Sequence, residues 1–332
     1  MTDPAQAIFD RLLPAPCAPT QATAYAPSNI ALSKYWGKRN VALNLPLNSS
    51  VSISLRDWGS TTQVTPANDG QDAVWLNGDK LARDSAFSTN ALAFADRFRR
   101  DLDAPLHIHT TNTIPTAAGL ASSASGFAAL TRALCTAFGA NLDRTQQSQL
   151  ARVGSGSASR SLWQGFVRWD RGTAQDGSDS YGRLLPYNWP EFRIAIIPVD
   201  TGPKAQSSRD GMNHTVRTSP LFSAWPGRAE EDCAEVEAAI GAYDLTTLGE
   251  VMEANALAMH ATMMAARPAL VYLKPATWAV LETLWQARAD GLAAYATMDA
   301  GANVKLIFLS HSISDVQMAF PAAKIIAPFD PL

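Results

Sequence analysis

The sequence predicts an α+β protein of two lobes, on three observations. Segments with strand-like and helix-like periodicity interleave in both halves of the chain. The early part is rich in hairpin signals, which disfavours a purely doubly wound sheet. The chain has 332 residues, and at roughly 150 per domain this suggests two units. A soft boundary near Pro186–Glu191 divides it into an N-terminal extension (1–20), a first lobe (21–190) and a second lobe (191–332).

The first residues, MTDPAQAIFDRLL, read as a short helix running into a Pro-rich link through Pro19. Ala22–Ala31 and Val51–Arg56 are strand-like; apolar and polar residues alternate in Val51–Leu55. Thr61–Thr65 and Ala73–Leu76 continue the sheet, and Asn77-Gly78 marks a tight hairpin turn. Asp84–Arg100 is a helix whose apolar stripe is Phe87, Ala91, Phe94, Ala95 and Phe98. His107–Thr111 is a strand, Leu120–Phe138 a long small-residue helix, Gln146–Arg152 a shorter helix and Gly165–Trp169 a strand. Gly172–Asp179 reads as a mobile polar loop. In the second half Phe192–Val199 is a buried strand, followed by a polar loop over Asp200–Pro220. Helices follow at Ala229–Ala242, Thr246–Ala266 and Ala276–Arg288, and strands at Ala293–Met298, Val304–Leu309 and Lys324–Ala327. Both loops are expected to serve as lids.

Composition narrows the function classes. Hydrophobic residues are 47% and charged residues 17%, which excludes wholesale disorder. A net charge of −3 without a basic stripe argues against nucleic acid as partner. No apolar run reaches membrane-spanning length, and the start of the chain is not a secretory signal. Three scattered cysteines form neither a disulfide framework nor a zinc signature, so a cytoplasmic setting is expected.

Five segments carry candidate chemistry. Pro115–Gly126 places a Gly-containing turn before a helix, with Ser122, Ser123 and Ser125 as hydroxyl donors. A helix N-terminus of this kind can bind phosphate, but a small-residue helix packed tightly on a sheet would look the same. Asn29–Arg39 sets Lys34, Lys38 and Arg39 beside a predicted strand end; Gly37 would let the lysines converge, and the alternative is a solvated basic turn. Gly154–Ser161 surrounds Arg160 with glycines and serines, a cradle for an oxyanion or a flexible linker. Ser207–Met212 is a weaker polar segment containing Arg209. Asp299 follows a strand and precedes Gly301, as a catalytic carboxylate or an ordinary turn residue.

Taken together these segments resemble the diphosphomevalonate decarboxylases, a family of the GHMP small-molecule kinases. The matching stretches run in family order: NIALSKYWGKR (29–39), LPLNSS (45–50), PTAAGLASSASG (115–126), GSGSASRS (154–161), DGSDS (176–180), Gly211-Met212 with Thr218-Ser219-Pro220, and Asp299-Ala300-Gly301. The resemblance implies a GHMP fold, with a ribosomal S5 domain 2-like first lobe, a ferredoxin-like second lobe and the active site between them. It implies ATP-dependent decarboxylation of mevalonate 5-diphosphate to isopentenyl diphosphate through a 3-phosphate, with Mg2+ as cofactor and a homodimeric assembly.

Residue by residue, the resemblance assigns Asp299, Lys34, Arg160 and Asn29 to catalysis. Arg160 would bind the substrate carboxylate. Tyr35, Lys38, Ser155, Gly156, Ser157, Arg209 and Met212 would line the substrate pocket. Pro115, Ala118, Gly119, Leu120, Ala121, Ser122, Ser123 and Ser125 would hold ATP. No acidic cluster marks the metal ligands, so they stay unassigned. The chain departs from the pattern at Ser33, Asn40 and Ser159, none of them a proposed catalytic residue. The alternatives are a mevalonate 5-phosphate decarboxylase, a GHMP kinase that stops at the phosphate ester, or a non-catalytic metabolite-binding relative.

Overall fold

The computed structural model describes residues 3–114, 122–200, 202 and 206–329. The chain opens with α1 (Pro4–Leu12), started by the Asp3 carboxylate accepting from the Ala5 N–H at 2.9 Å. The stretch expected to be an extension is therefore partly core. Ile8 and Phe9 are buried, and Phe9 meets Phe94 and Phe98 edge-on at centroid distances of 5.7 and 5.3 Å.

The first half continues through β1 (Ala22–Ala31), β2 (Lys38–Asn40), β3 (Leu45–Pro46), β4 (Ser50–Pro66), β5 (Ala73–Leu76), β6 (Asp79–Lys80), α2 (Ala86–Arg99) and β7 (Leu106–Asn112). Then come α3 (Ser123–Ala137), α4 (Arg144–Gly154), β8 (Phe166–Trp169) and β9 (Gly182–Leu184). The two segments expected as separate strands, Val51–Arg56 and Thr61–Thr65, form the single strand β4. It pairs with β1 over most of its length, with β8 near its start and with β7 near its end. The register with β1 slips between Pro27 and Asn29, because Pro27 has no N–H to give to the ladder. The sheet runs β6-β5-β7-β4-β8-β9 with β1 beside β4, and among these pairs only β5–β7 is parallel.

The second half holds β10 (Phe192–Ile197), α5 (Ser208–Thr218), α6 (Trp225–Ala242), α7 (Leu245–Met264), α8 (Pro275–Ala289), β11 (Ala294–Met298), β12 (Val304–Leu309), α9 (Ile313–Ala319) and β13 (Lys324–Ile326). Its sheet is antiparallel in the order β11-β12-β10-β13. At Gly249 of α7 an added Cβ would lie 2.0 Å from the Tyr295 ring, so glycine lets this helix sit down on β11.

One apolar core joins the halves. Ile30, Ile53 and Phe166 from the first pack with Phe192, Val236, Met252 and Ile307 from the second. Polar contacts reinforce it. Arg168 of β8 reaches Glu237 of α6 at 2.8 Å, and Arg183 of β9 reaches the same carboxylate at 2.9 Å.

Three expectations need correction. Phe87 sits at the exposed start of α2 and leaves the stripe, while Ala91, Phe94, Ala95 and Phe98 are buried. Part of the polar loop expected over Asp200–Pro220 is the helix α5, capped by Ser207 accepting from the Asp210 N–H at 3.1 Å. Gly172–Asp179 is a tied-down loop and not a free lid. The Asp179 carboxylate accepts from the Thr173 and Ala174 N–H groups, and buried Arg152 donates to the carbonyls of Gly177 and Ser180.

Candidate active site

A cavity of about 680 Å3 opens between the halves. Its walls come from the end of β1, the turn before β2, the start of α2, the α4 end and the 3-10 turn after it, α5, and the loop after β11.

Lys34 lies three residues past β1. The two residues before it are stitched to β4: Leu32 N–H donates to Val51 O at 2.8 Å, and Ser33 Oγ accepts from Val51 N–H at 2.8 Å. The Lys34 peptide itself is gripped from both sides. Its N–H donates to Asn255 Oδ1 and its carbonyl accepts from Asn48 Nδ2, each at 2.8 Å. Asn255 is held in turn by the buried carboxylate of Asp232 at 2.8 Å. The side chain is then directed inward, 2% exposed, and Nζ donates to Ala31 O and Asp299 Oδ1, each at 2.8 Å.

Asp299 follows β11, and its second oxygen Oδ2 accepts from Lys305 Nζ of β12 at 3.1 Å. Its backbone carbonyl is 3.1 Å from His260 Nε2. Burial disfavours the charged carboxylate, but the ammonium groups of Lys305 and Lys34 outweigh it and hold Asp299 far below the ordinary range. Burial lowers Lys34 to about 8, partly offset by Asp299. His260 is pushed down to about 4 by burial and by Lys34, so it is neutral at pH 7.

The turn after Lys34 depends on Gly37. Its φ is +113°, and a Cβ there would lie 2.6 Å from the Phe222 ring. Trp225 Nε1 donates to the Trp36 carbonyl at 2.8 Å, so the second half pins this turn. Lys38 then points into the cavity and donates to Asn44 Oδ1 at 2.7 Å. Burial, then Arg209, lower Lys38 to about 8.

Across the cavity, α4 ends at Gly154, and the 3-10 turn Gly156–Arg160 presents Ser155, Gly156 and Ser157. A Cβ on Gly156 would crowd Tyr35 and Trp169 at 3.0 Å. Arg160 is buried, donates to Ser50 Oγ at 2.6 Å and lies over the Trp169 ring at 5.7 Å. Its Nε has no hydrogen-bond partner among the described residues. Burial lowers Arg160 to about 10, against the pull of Asp299, and it stays a cation at pH 7. Asn29 Nδ2 donates to Ser161 Oγ at 2.7 Å on the same wall. From α5 come exposed Arg209 and buried Met212.

The structure thus brings Asn29, Lys34, Tyr35, Lys38, Ser155, Gly156, Ser157, Arg160, Arg209, Met212 and Asp299 to one cavity. Of the ATP-loop residues, Ser123 at the start of α3 lines it. Ser122 does not line it. Ser125, expected at the ATP, is fully buried, and its hydroxyl lies 2.8 Å from Ser60 Oγ in the helix–sheet packing. Pro115, Ala118, Gly119, Leu120 and Ala121 lie outside the described residues.

Sequence reasoning missed Lys305 and Asn44. A lone lysine inside the apolar strand VKLIFL was the available signal for Lys305. Nothing in the sequence singles out Asn44. Among the described residues there is no group of three or more His, Cys, Asp or Glu side chains placed to hold a metal. No helix among them is long and apolar enough to cross a membrane.

The arrangement is a largely cationic cleft in which Asp299 is held ionised between two lysines, with Asp210 of α5 also on its wall, chemistry suited to polyphosphates and to orienting a hydroxyl. Known proteins resemble this chain over most of its length. Residues 26–182 match a family profile described as the diphosphomevalonate decarboxylase-like N-terminal domain, and residues 194–326 match the mevalonate 5-diphosphate decarboxylase C-terminal domain. The diphosphomevalonate decarboxylase of Eremothecium gossypii is 37% identical, over 88% of this chain and 78% of its own. The human diphosphomevalonate decarboxylase is 35% identical, over 88% and 78%. The structure of the Staphylococcus aureus mevalonate diphosphate decarboxylase superposes with a TM-score of 0.87 at 36% identity, covering 93% of this chain and 95% of that one. A structure described as MDDEF in complex with MVAPP, AMPPCP and magnesium gives 0.86 at 37% identity, covering 93% and 96%. Two family matches that divide the chain between them, with relatives this similar over most of their length, place the chain in the diphosphomevalonate decarboxylase family.

Proposed function

We propose that this cavity carries out the family reaction, ATP-dependent decarboxylation of mevalonate 5-diphosphate to isopentenyl diphosphate, ADP, phosphate and CO2. The observation that carries the reading is the Lys34–Asp299 pair facing Arg160 across one cavity.

In this reading the substrate diphosphate lies among Lys38, Arg209, Ser155 and Ser157, where cations and hydroxyls converge. Asp299 accepts a hydrogen bond from the C3 hydroxyl and aligns its oxygen with the γ-phosphorus of ATP. That oxygen forms the new bond to phosphorus as the bond to ADP breaks, and the hydroxyl proton passes by way of the Asp299 carboxylate to water. Phosphoryl transfer asks mainly for positioning and for charge stabilisation, and Lys34 beside Asp299 supplies a cation there. The C3–O bond then breaks, phosphate departs with the electron pair, and the C–CO2 bond electrons form the alkene. Arg160, already stripped of water and with a free Nε, holds the carboxylate in place. Carboxylate charge falls as CO2 forms, so this grip must orient more than it stabilises.

ATP fits the open side of the cavity, where Ser123 begins α3 and the helix start favours anions. With no acidic cluster among the described residues, Mg2+ would be held mainly by phosphate oxygens and water, and when bound it would neutralise phosphate charge. The lobes are taken as 21–190 for the nucleotide and 191–332 for the carboxylate Asp299. A cytoplasmic homodimer completes the proposal: three free cysteines suit a reducing compartment, and Trp278 and Trp285 of α8 are part-exposed faces for a second copy.

The test is CO2 release measured alongside ADP, with Mg-ATP and mevalonate diphosphate, mevalonate phosphate or mevalonate. One CO2 per ADP with the diphosphate preferred is expected. ADP without CO2 would make the protein a 3-kinase, and preference for the monophosphate would reassign the pocket.

A further inference from the structure

Each oxygen of Asp299 is held by a different lysine. Lys34 reaches Oδ1 from the end of the first-lobe strand, and Lys305 reaches Oδ2 at 3.1 Å from β12. Lys305 is as deeply buried as Lys34, with its side chain 3% exposed. Its strand neighbours Val304 and Leu306 are fully buried, so a lone charge stands within an apolar strand. A buried ammonium is costly unless it is paired. Apart from Asp299, Nζ donates among the described residues to the Asn303 carbonyl, at a long 3.4 Å. An ammonium carries three donors, and Lys305 lines the cavity.

We infer that Lys305 is a positioning residue for the phosphorylation step: it fixes the second oxygen of Asp299, so that the carboxylate stays ionised and turned toward the substrate hydroxyl. The inference rests on the reaction proposed above. Without Lys305 the carboxylate would be anchored at one oxygen only and free to rotate about its Cβ–Cγ bond. The charged groups facing Asp299 are Lys34 beyond β1, Lys305 on β12 and Arg160 from the 3-10 turn; His260 on α7 faces its carbonyl and is neutral at pH 7. The charges of Lys305 and Lys34, with the hydrogen bond each makes, keep the carboxyl ionised against burial.

The experiment compares wild type with Lys305→Met, close in shape but uncharged, and with Lys305→Arg. It measures kcat and KM for CO2 release across pH, with substrate affinity by calorimetry. For K305M the expected result is a kcat lower by about tenfold or more. KM for mevalonate diphosphate should stay within about twofold, because the substrate anions bind elsewhere in the cavity. The acid limb of the kcat profile should move to higher pH, and K305R should recover part of the rate. A merely structural lysine would leave that limb where it was. If K305M fails to fold, Lys305→Gln keeps a donor without the charge and must show the same shift of the limb. Wild-type kcat with an unmoved limb, or a loss confined to KM, overturns the inference. Absence of CO2 release from wild type would instead overturn the reaction reading, and the inference with it.

Discussion

Lys34 Nζ donates to Asp299 Oδ1 at 2.8 Å across a separation of 265 residues, so this ion pair exists only when the two lobes are assembled. Stability alone does not account for it. Burying an ammonium at 2% exposure carries a desolvation cost that its partner seldom repays in full. Two asparagines from different parts of the chain, Asn48 and Asn255, are spent on the peptide group of this one lysine. That investment fits a group whose position, not whose contribution to folding, is what the protein needs.

Replacing Asp299 by Asn should expose this directly. The amide keeps the shape but removes the charge that both lysines hold, and it places a donor where one lysine now donates. Turnover is expected to fall about a thousandfold, with substrate affinity nearly intact, since the substrate anions bind through other cations. Steady-state CO2 release and calorimetric binding check this, and near-normal turnover would remove Asp299 from the mechanism.

The pH dependence follows from two lysines, Lys34 buried and Lys38 half-buried. Lys34 is lowered to about 8 by burial, and Lys38 to about 8 by burial and Arg209. Both are cations at pH 7 and discharge as pH rises through 8, so kcat/KM should fall on the alkaline side with a limb near 8. A bound diphosphate favours the charged lysines, so the limb in kcat should lie higher than that in kcat/KM. A kcat/KM profile flat to about pH 9.5 would contradict both assignments.

Local chemistry explains which parts of this site were legible in the sequence. Asn29, Lys34 and Lys38 lie within a single run around a strand end, and the glycine that bends it is visible beside them. Lys305 was hidden because its meaning comes from the pairing of β12 with β11, which sets Lys305 opposite Thr297 and its ammonium under Asp299. Helix α5 looks like loop in the sequence because its polar composition carries a glycine at 211; there a Cβ would lie 2.5 Å from the Tyr272 hydroxyl. Tertiary packing, not helix propensity, selects that glycine. The same holds for Ser125, which looks like a phosphate ligand in sequence and turns its hydroxyl to Ser60 of β4. In small-residue helices, donors to a ligand and donors to a neighbouring strand have the same spelling.

Arg209 tests how the cavity tells a diphosphate from a monophosphate. It lies in the first turn of α5, exposed, and lines the cavity with half-buried Lys38, whose pKa it helps to lower. An exposed guanidinium next to a second cation has an unfavourable neighbour until an anion comes between them, and a terminal phosphate is such an anion. Arg209→Ala should therefore raise KM for mevalonate diphosphate by about ten- to a hundredfold, with kcat much less affected, because the contact is made equally in the ground and transition states. KM for mevalonate phosphate should change far less, and Lys38 should titrate at a higher pH in the free variant. An equal loss on both substrates would show that Arg209 does not read the terminal phosphate and would place that group elsewhere in the cavity.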